Sequence, residues 1–451
     1  MAVVTRDVER GALAAWINPR RVRRRLADWV QLPPGWRIAT VGVARVAPAR
    51  PDGANIEYVV TLRDARGDAG RGTLHRTRTV DPRCAPGVRL AIRRRAAVRL
   101  QGVAICLPAE GVLLHTPERD PELAALPELL DCEAIGVRLG ADSAVRCTWL
   151  SYRAGRRATL GSRFHAGGTA RYCVAKVSRD GLVERLPRLQ RRVAAELRGR
   201  ADAPRVPAVL DVWPECRTVI FEGLEPVATT ARIDPVERAA AAGQALAGLH
   251  GLGSAGLARF HATDELRVLQ RWLRVADSVD ARLSQAAALC RWAHAHATAR
   301  TIRPDCFLHR DFYDAQLLPC AAGWGVSDLD TAAAGERELD VGNYLAHCVW
   351  RGMVEGWPAP QAVEAIRLFV ETYAKEAGAR RSRNGVRAGG VLEARRLQFY
   401  VVTTLARLGV IHAMRTKTAL LAQRLHERAG RVASDRAASI ESVSLALSAA
   451  G

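Results

Sequence analysis

The sequence predicts an α+β chain in which β-rich units come first and a helical unit last. Three observations carry this expectation. Residues 36–115 and 145–222 hold β-branched runs such as RIATVGVARV, IEYVVTLRD and YCVAKV, broken by Pro, Gly and Asp. Beyond Asp234 the chain turns Ala-rich with apolar positions at helical spacing, first in AAGQALAGLH at 241–250. Between 306 and 347, polar residues collect where short apolar runs end, the place where a rigid scaffold presents reactive groups. Three units follow: a mostly β accessory unit over 1–140, a β-rich lobe over 141–225 and a helical lobe over 226–451.

Length and composition bound the rest. A chain of 451 residues with 49% hydrophobic content has room for two or three cored domains. No apolar run approaches the roughly 18 residues that span a bilayer, and Asp7 and Glu9 stand where a signal peptide would be apolar. A cytoplasmic protein with no membrane span is therefore expected. The 10 cysteines show no CxxC spacing and read as small apolar core residues of a reducing compartment. Cys290 and His294, one helical turn apart, have no second pair nearby and read as helix packing. The net charge of +21 comes almost wholly from Arg spread along the chain, with few aromatics beside it. No nucleic-acid motif accompanies it, so no specific nucleic-acid partner is expected. The lysines are Lys176, Lys375 and Lys417. A Lys where Arg serves nearly everywhere marks a need for a compact ammonium, and Lys176 lies in the strand-like run Tyr172–Val177.

In order, residues 1–30 predict short helices around Asn18–Pro19, and 36–115 predict strands, with Arg93–Arg95 a solvated edge. Thr116–Leu130 reads as a Pro-punctuated linker into a short helix. Strands are predicted at Val145–Tyr152, Arg157–Phe164 and Tyr172–Val177, with RAGR at 153–156 the first turn. Its Gly155 could let backbone N–H groups approach a phosphate, with flanking Arg adding charge. An amphipathic helix follows at Val183–Arg198, Pro187 best placed in its first turn. Strands at Ala208–Val212 and Thr218–Phe221 end in FEGL, Phe221–Leu224, where the two lobes join. Helices are then predicted near Asp264–Ala293, Val341–Met353, Pro360–Ala377 and Val391–Ala429.

The site candidates lie in two short strands, Phe307–Leu308 and Gln316–Leu318, around the loop His309, Arg310, Asp311 and Asp314. A turn and a third strand, Gly325–Ser327, lead to Asp328 and Asp330. A hairpin bringing Asp311 near Asp328 is unfavourable unless a cation or proton sits between them. Phosphoryl transfer uses such an arrangement: one Asp orients the attacking hydroxyl, another holds Mg2+ on nucleotide phosphates. A P-loop is excluded, since none of the lysines sits in GxxxxGK[ST]. A metallohydrolase on His309 and Asp311 lacks further His ligands.

These residues resemble the aminoglycoside phosphotransferase and choline kinase family, over about residues 145–430. His309-Arg310-Asp311 with Gln316 is similar to the family's HxDxxxxN loop, in the HxDFYxxQ form of a bacterial branch. Val326 to Asn343 is similar to its I-D-W/F-x-x-A-x-x-G-D run, and LAGLH at 246–250 to the helix upstream. The resemblance implies a two-lobed protein-kinase-like fold, β-rich N-lobe and α-helical C-lobe, with an extra mostly β N-terminal domain. It implies ATP or another NTP, Mg2+, and a small hydroxylated acceptor. Asp311 would orient or deprotonate the acceptor, with His309 and Arg310 in the same motif. Asp328 and Gln316 would hold Mg2+, Lys176 would grip the α- and β-phosphates, and Glu222, Gly223 and Leu224 would form the adenine hinge. Asp340 would brace the catalytic loop, a role compatible with its being an N-cap of the 341–353 helix. Asp330 and Asp314 would be ligands or loop caps. Glu196, rather than Glu184, would pair with Lys176. Gln316 replaces the usual Asn, one methylene longer, and this departure keeps a catalytically weak nucleotide- or partner-binding protein as the alternative. Strong basicity argues against a polycationic acceptor and toward a neutral or anionic one such as a sugar. The first 140 residues resemble, loosely, the cap domains of some bacterial sugar kinases.

Overall fold

The computed structural model describes residues from Leu13 to Val443, apart from several stretches of which the longest are 79–86, 89–102, 225–232, 298–305 and 384–391. Arg93–Arg95 lies outside the described residues.

The N-terminal unit starts with helix α1, Pro19–Trp29. Asn18 caps it, its side-chain oxygen accepting from the amides of Arg20 and Arg21, and Pro19 takes the first position, where no donor is needed. A six-stranded antiparallel sheet follows: β1 (Arg37–Pro48), β2 (Ala54–Arg63), β3 (Ala69–Arg78), β4 (Gly87–Val88), β5 (Val103–Leu107) and β6 (Val112–His115), in the order β1-β2-β3-β6-β5-β4. β2 alternates buried Ala54, Ile56, Tyr58, Val60 and Leu62 with more exposed positions, so one face carries a core. That core includes Val22 and Leu26 of α1, and reaches Val275, Ala276, Val410 and Met414 of the helical unit. The accessory sheet is thus fastened to the helices far along the chain.

The Thr116–Leu130 segment winds through two 3-10 turns, Pro117–Arg119 and Pro121–Leu123, before α2 (Leu126–Leu130) and α3 (Cys132–Leu139). The second lobe is a five-stranded antiparallel sheet, order β10-β11-β9-β8-β7, from β7 (Arg146–Arg153), β8 (Arg157–Ala166), β9 (Thr169–Ser178), β10 (Val209–Trp213) and β11 (Thr218–Glu222). Helix α4, Leu182–Leu197, packs Val183, Leu186, Leu189, Val193 and Leu197 inward. Pro187 lies inside α4 rather than in its first turn. There its missing N–H and its ring both disturb the preceding turn.

The helical lobe holds α5 (Pro235–His250), β12 (Arg259–Phe260), α6 (Ala262–Asp277), α7 (Ser284–Ala297), β13 (Cys306–Leu308), β14 (Leu317–Cys320), β15 (Gly323–Val326), β16 (Ala333–Gly335), α8 (Glu338–Glu355), α9 (Ala359–Arg383), α10 (Ala394–Ala413) and α11 (Ala419–Ser434). Two long expected helices are each a pair. The first run divides into α6, which ends at Asp277, and α7, which starts at Ser284. α10 ends where the Thr418 hydroxyl and the Arg415 amide both bond the His412 carbonyl. The strand expected at Gln316–Leu318 starts later, because Asp314–Gln316 forms a 3-10 turn first. The overall architecture is the expected one: a β-rich lobe, a helical lobe, and an added N-terminal sheet. Among the described residues no helix is long and apolar enough to cross a membrane.

Candidate active site

The loop between β13 and β14 is fixed from below by one carboxylate. Asp340 is fully buried in the first turn of α8, and its oxygens accept from the amides of His309 and Arg310, each at 2.7 Å. The helix begins at Glu338 with Arg337 as its cap, so Asp340 is not an N-cap. His250, closing α5, adds its Nε2 at 3.2 Å from Asp340 and its Nδ1 at 2.8 Å from the Tyr373 hydroxyl. Burial outweighs Asp340 and lowers the His250 pKa, which makes the neutral ring the donor to Asp340. Asn343, one helical turn along α8, donates to the Phe312 carbonyl at 2.9 Å. These anchors hold Arg310 at φ 69°, a left-handed conformation that turns the chain sharply before Asp311.

His309 and Arg310, expected beside Asp311 in catalysis, instead serve the scaffold. The His309 ring is buried. Its Nε2 meets the Ser327 carbonyl at 2.8 Å and its Nδ1 accepts from the Asp311 amide at 3.3 Å, which puts the ring proton on Nε2. It therefore ties the Asp311 loop to the strand leading to Asp328. Arg310 turns down, bonding the Thr331 carbonyl at 3.2 Å with its guanidinium 3.5 Å above the Phe260 ring. Asp314 is instead in an ion pair with Arg351, at the edge of a cavity that Arg238, Tyr344 and Trp357 also line.

Asp328 follows β15 in the left-handed region, φ 62°, so its carboxylate turns toward the β-rich lobe. There it meets Lys176 Nζ at 2.8 Å and Arg157 Nη2 at 3.3 Å. Asp330, buried two residues on, meets Lys176 at 2.6 Å and Arg157 Nη1 at 2.5 Å. Two carboxylates and two cations thus form a closed square. Burial alone would raise the Asp328 pKa, but Lys176 and Arg157 more than offset it and hold the group far below the ordinary carboxylate range. Lys176 goes the other way: burial disfavours its charge, while Asp330 and Asp328 together raise its pKa. Gln316 is buried, and its amide oxygen accepts from the Ser327 hydroxyl at 3.0 Å.

Several expected partners lie elsewhere. Glu196 accepts from the Gly253 amide at 3.0 Å and pairs with Arg192 on its own helix, so it is not the partner of Lys176. Glu184 is exposed. What α4 sends to the square is Arg185, whose guanidinium donates to the Asp330 carbonyl at 2.6 Å. The Gly155 amide is taken by Asp120 Oδ2 at 2.7 Å, and the same oxygen accepts from the Tyr152 hydroxyl at 2.6 Å. It is therefore not available to a phosphate in this arrangement. At the lobe junction the Glu222 side chain turns outward to Arg205 at 2.9 Å. The Gly223 amide donates to the Tyr172 carbonyl at 2.9 Å, and a Cβ there would strike the Tyr172 ring. Leu224 is buried against Gly325.

Arg157 escaped the sequence reading, which credited the turn residues before it. Thr159 stands opposite Lys176 across β8 and β9, and Arg157, two residues earlier, shares that face of the sheet. Tyr313, stacked on His347 with centroids 4.5 Å apart, was also missed.

A model of the phosphotransferase enzyme family matches residues 156–379, the segment that holds Arg157, Lys176, Asp311, Asp328 and Asp340. Over that segment, the chain belongs to this family. It is a phosphotransferase. A search of curated protein sequences finds no match. Among solved structures, the macrolide 2'-phosphotransferase of Brachybacterium faecium is 18% identical, with 66% of this chain and 96% of that one covered at a TM-score of 0.41. A choline/ethanolamine kinase family protein from Mesorhizobium loti is 15% identical, covering 73% and 98% at 0.42. The choline kinase of Cryptosporidium parvum is 9% identical, covering 64% and 88% at 0.46. None of the three bears on what this phosphotransferase accepts.

Proposed function

We propose that this phosphotransferase moves the γ-phosphoryl group of ATP, or of another NTP, to a hydroxyl of a small neutral or anionic metabolite such as a sugar. The observation that carries the reading is the square of Lys176, Arg157, Asp328 and Asp330 beside the Asp311 loop. Asp311 orients the acceptor hydroxyl and takes its proton as the oxygen attacks phosphorus. Lys176 and Arg157 are the cations that meet the nucleotide phosphates when these displace the Asp328 carboxylate. Glu222, Gly223 and Leu224 serve the adenine through the backbone. Asp340 and His309 position Asp311 without touching the reactants.

Mg2+ fits the donors present. Asp328 stays ionised, and with the Gln316 amide oxygen and Asp330 it offers the hard oxygen ligands that Mg2+ takes alongside phosphates. Bound there, the ion would neutralise charge on the transferring phosphoryl group. We assign residues 1–140 to an accessory domain, 141–225 to the nucleotide lobe and 226–451 to the catalytic lobe, in a cytoplasmic protein.

One observation favours a second reading. The Gln316 amide oxygen is engaged by Ser327 and the Asp328 carboxylate is fully paired, as in a kinase-like protein that binds nucleotide in a regulatory role without turnover. ATP turnover over a panel of hydroxylated metabolites, compared with Asp311→Asn, separates the two. Acceptor-dependent ADP release that Asp311→Asn abolishes is the expected result. Mg·ATP binding without hydrolysis or transfer under any condition would overturn it.

A further inference from the structure

The accessory sheet reaches the catalytic cleft. Asn55 of β2 donates to the Ala154 carbonyl at 3.0 Å, in the turn that joins β7 to β8. Asp120 holds the next amide of that turn, and the His75 ring stands edge-on to Tyr152 with centroids 4.6 Å apart. The accessory sheet therefore touches the nucleotide lobe at the turn that ends in Arg157.

Arginines converge there from three elements. Arg45 of β1, paired in register with Glu57 of β2, lies within electrostatic reach of Arg153, Arg157 and Arg415. Arg153, the last residue of β7, lies within reach of Asp311, Asp328 and Tyr313. Arg415 follows α10, next to Met414, which belongs to the core shared with β1 and β2. The side chains of Arg45, Arg153 and Arg415 make no hydrogen bond or close ion pair among the described residues, and the Arg415 Nε is buried without a partner.

Arg157 differs from these three, since both of its Nη atoms are paired with Asp328 and Asp330. For the others the carboxylates at hand are Glu57 and, across the cleft, Asp311 and Asp328. Burial above all, and then the neighbouring Arg153, lowers the Arg45 pKa to about 10, while Glu57 acts against it. Half-buried guanidiniums gathered without partners are costly unless an anion completes them. A carboxylate is satisfied by one bidentate guanidinium, whereas a phosphate monoester offers three oxygens and up to two charges.

We propose that Arg45, Arg153 and Arg415 form an anion subsite beside Asp311, and that the acceptor is a phosphate monoester with a free hydroxyl, of the sugar-phosphate class. The inference rests on the phosphotransferase reading and names its acceptor. In the reaction the acceptor hydroxyl oxygen bonds to the γ-phosphorus as the bond to the ADP oxygen breaks, and the hydroxyl proton passes to Asp311. The phosphate already on the acceptor stays bound to the arginines and takes no part in bond making. The accessory sheet is then part of the acceptor site, through Arg45.

Binding to the full chain tests this without turnover. The probes are glucose 6-phosphate, fructose 6-phosphate and glycerol 3-phosphate, with glucose, glucosamine and gluconate as neutral, cationic and carboxylate counterparts. Affinity is read by calorimetry and by the shift in melting temperature. At least one phosphate ester is expected to bind the wild type, and Arg45→Met and Arg415→Met each to weaken it about tenfold or more. Stabilisation by ADP with Mg2+ is measured on the same proteins as a check on folding. The two substitutions lie on different elements, so misfolding of one leaves the other informative. The proposal is overturned if no phosphate ester binds, if glucose or gluconate binds as well, or if binding survives both substitutions. It is also overturned if Arg45→Met and Arg415→Met weaken ADP as much as the ester, which would make them nucleotide ligands. Loss of ADP binding by the wild type would instead remove the phosphotransferase reading itself.

Discussion

Lys176 Nζ lies 2.6 Å from Asp330 Oδ1, closer than its 2.8 Å to Asp328. Asp330 thereby does for the lysine what a glutamate on α4 was expected to do. Asp330 also binds Arg157 and is nearly inaccessible, so the ammonium is aimed by a group on the catalytic lobe rather than on the helix above.

Asp330→Asn removes that charge while keeping the shape. With Lys176 misplaced by about 1 Å, kcat/KM for nucleotide should fall on the order of a hundredfold. Asp330→Glu, which restores the charge, should recover part of it. Glu196→Gln alters a half-exposed contact to Gly253 and Arg192 and should leave kinetics unchanged. Steady-state kinetics of the three variants decide between the two partners. A large loss in Glu196→Gln with none in Asp330→Asn would return the role to α4.

The difference between expectation and structure has a physical origin here. Asp311 stands out in one motif and Asp328 and Asp340 in a second, on either side of the short β14–β15 hairpin that fixes their spacing. Lys176 was legible because a lone Lys stands out among arginines in an apolar strand. The partner of Lys176 was not, because ion pairing across lobes depends on where Asp328 and Asp330 turn after β15, and a left-handed φ at a non-glycine residue leaves no sequence mark. Arg157 did leave one: it shares a face of its strand with the residue opposite Lys176. The sheet over 36–115 was legible as strands, but its reach to the Arg153–Arg156 turn was not. Contacts such as Asn55 with Ala154 and Asp120 with Gly155 join distant segments and follow no local pattern.

Asp340 is the keystone of the loop, and its removal should show in stability. Asp340→Ala leaves the amides of His309 and Arg310 and the His250 ring without their shared acceptor. Each buried donor left unmatched costs about 1–3 kcal/mol, so about 3 kcal/mol or more should be lost. Urea unfolding of the full chain measures it. A loss under about 1 kcal/mol would mean water replaces the carboxylate, and the loop is not held as described.

Gly155 should matter to folding and little to nucleotide. It occupies the left-handed region at φ 66°, where an L side chain costs about 1–2 kcal/mol, and its amide serves Asp120. Gly155→Ala should lower stability by about that amount and leave ADP affinity within about twofold. Arg157→Met should instead weaken ADP tenfold or more, about the worth of a lost charge-assisted bond. Calorimetric titration of both variants with ADP and Mg2+ checks the contrast. Equal losses would put the turn backbone on the phosphates.

Acid should loosen the junction between the accessory sheet and the nucleotide lobe. Burial first, then His115 and Arg45, lowers the His75 pKa to about 3, with the ring packed against Tyr152. A histidine depressed when folded contributes stability that is complete above its unfolded value of about 6.5 and is lost as pH falls toward 3. Between pH 7 and pH 5 the loss from this residue is about 2 kcal/mol. His75→Phe should flatten the dependence over that interval, read from urea midpoints at the two pH values. The same slope in variant and wild type would assign the acid sensitivity to other groups.

Gln316 is the remaining departure from the family loop, and its role is separable from turnover. Its amide oxygen already accepts from Ser327, so metal binding must either share that oxygen or displace the hydroxyl. Because an amide oxygen has two lone pairs, sharing is feasible and the Ser327 bond orients the ligand. Gln316→Ala should then raise the Mg2+ concentration needed for half-maximal binding of a fluorescent ADP by about 10–100-fold, and Ser327→Ala by less. ADP binding in EDTA should be the same for wild type and both variants. If Gln316→Ala leaves the Mg2+ dependence unmoved, the residue does no more than pin the strand that carries Asp328, and the ion is held by carboxylates and phosphates alone.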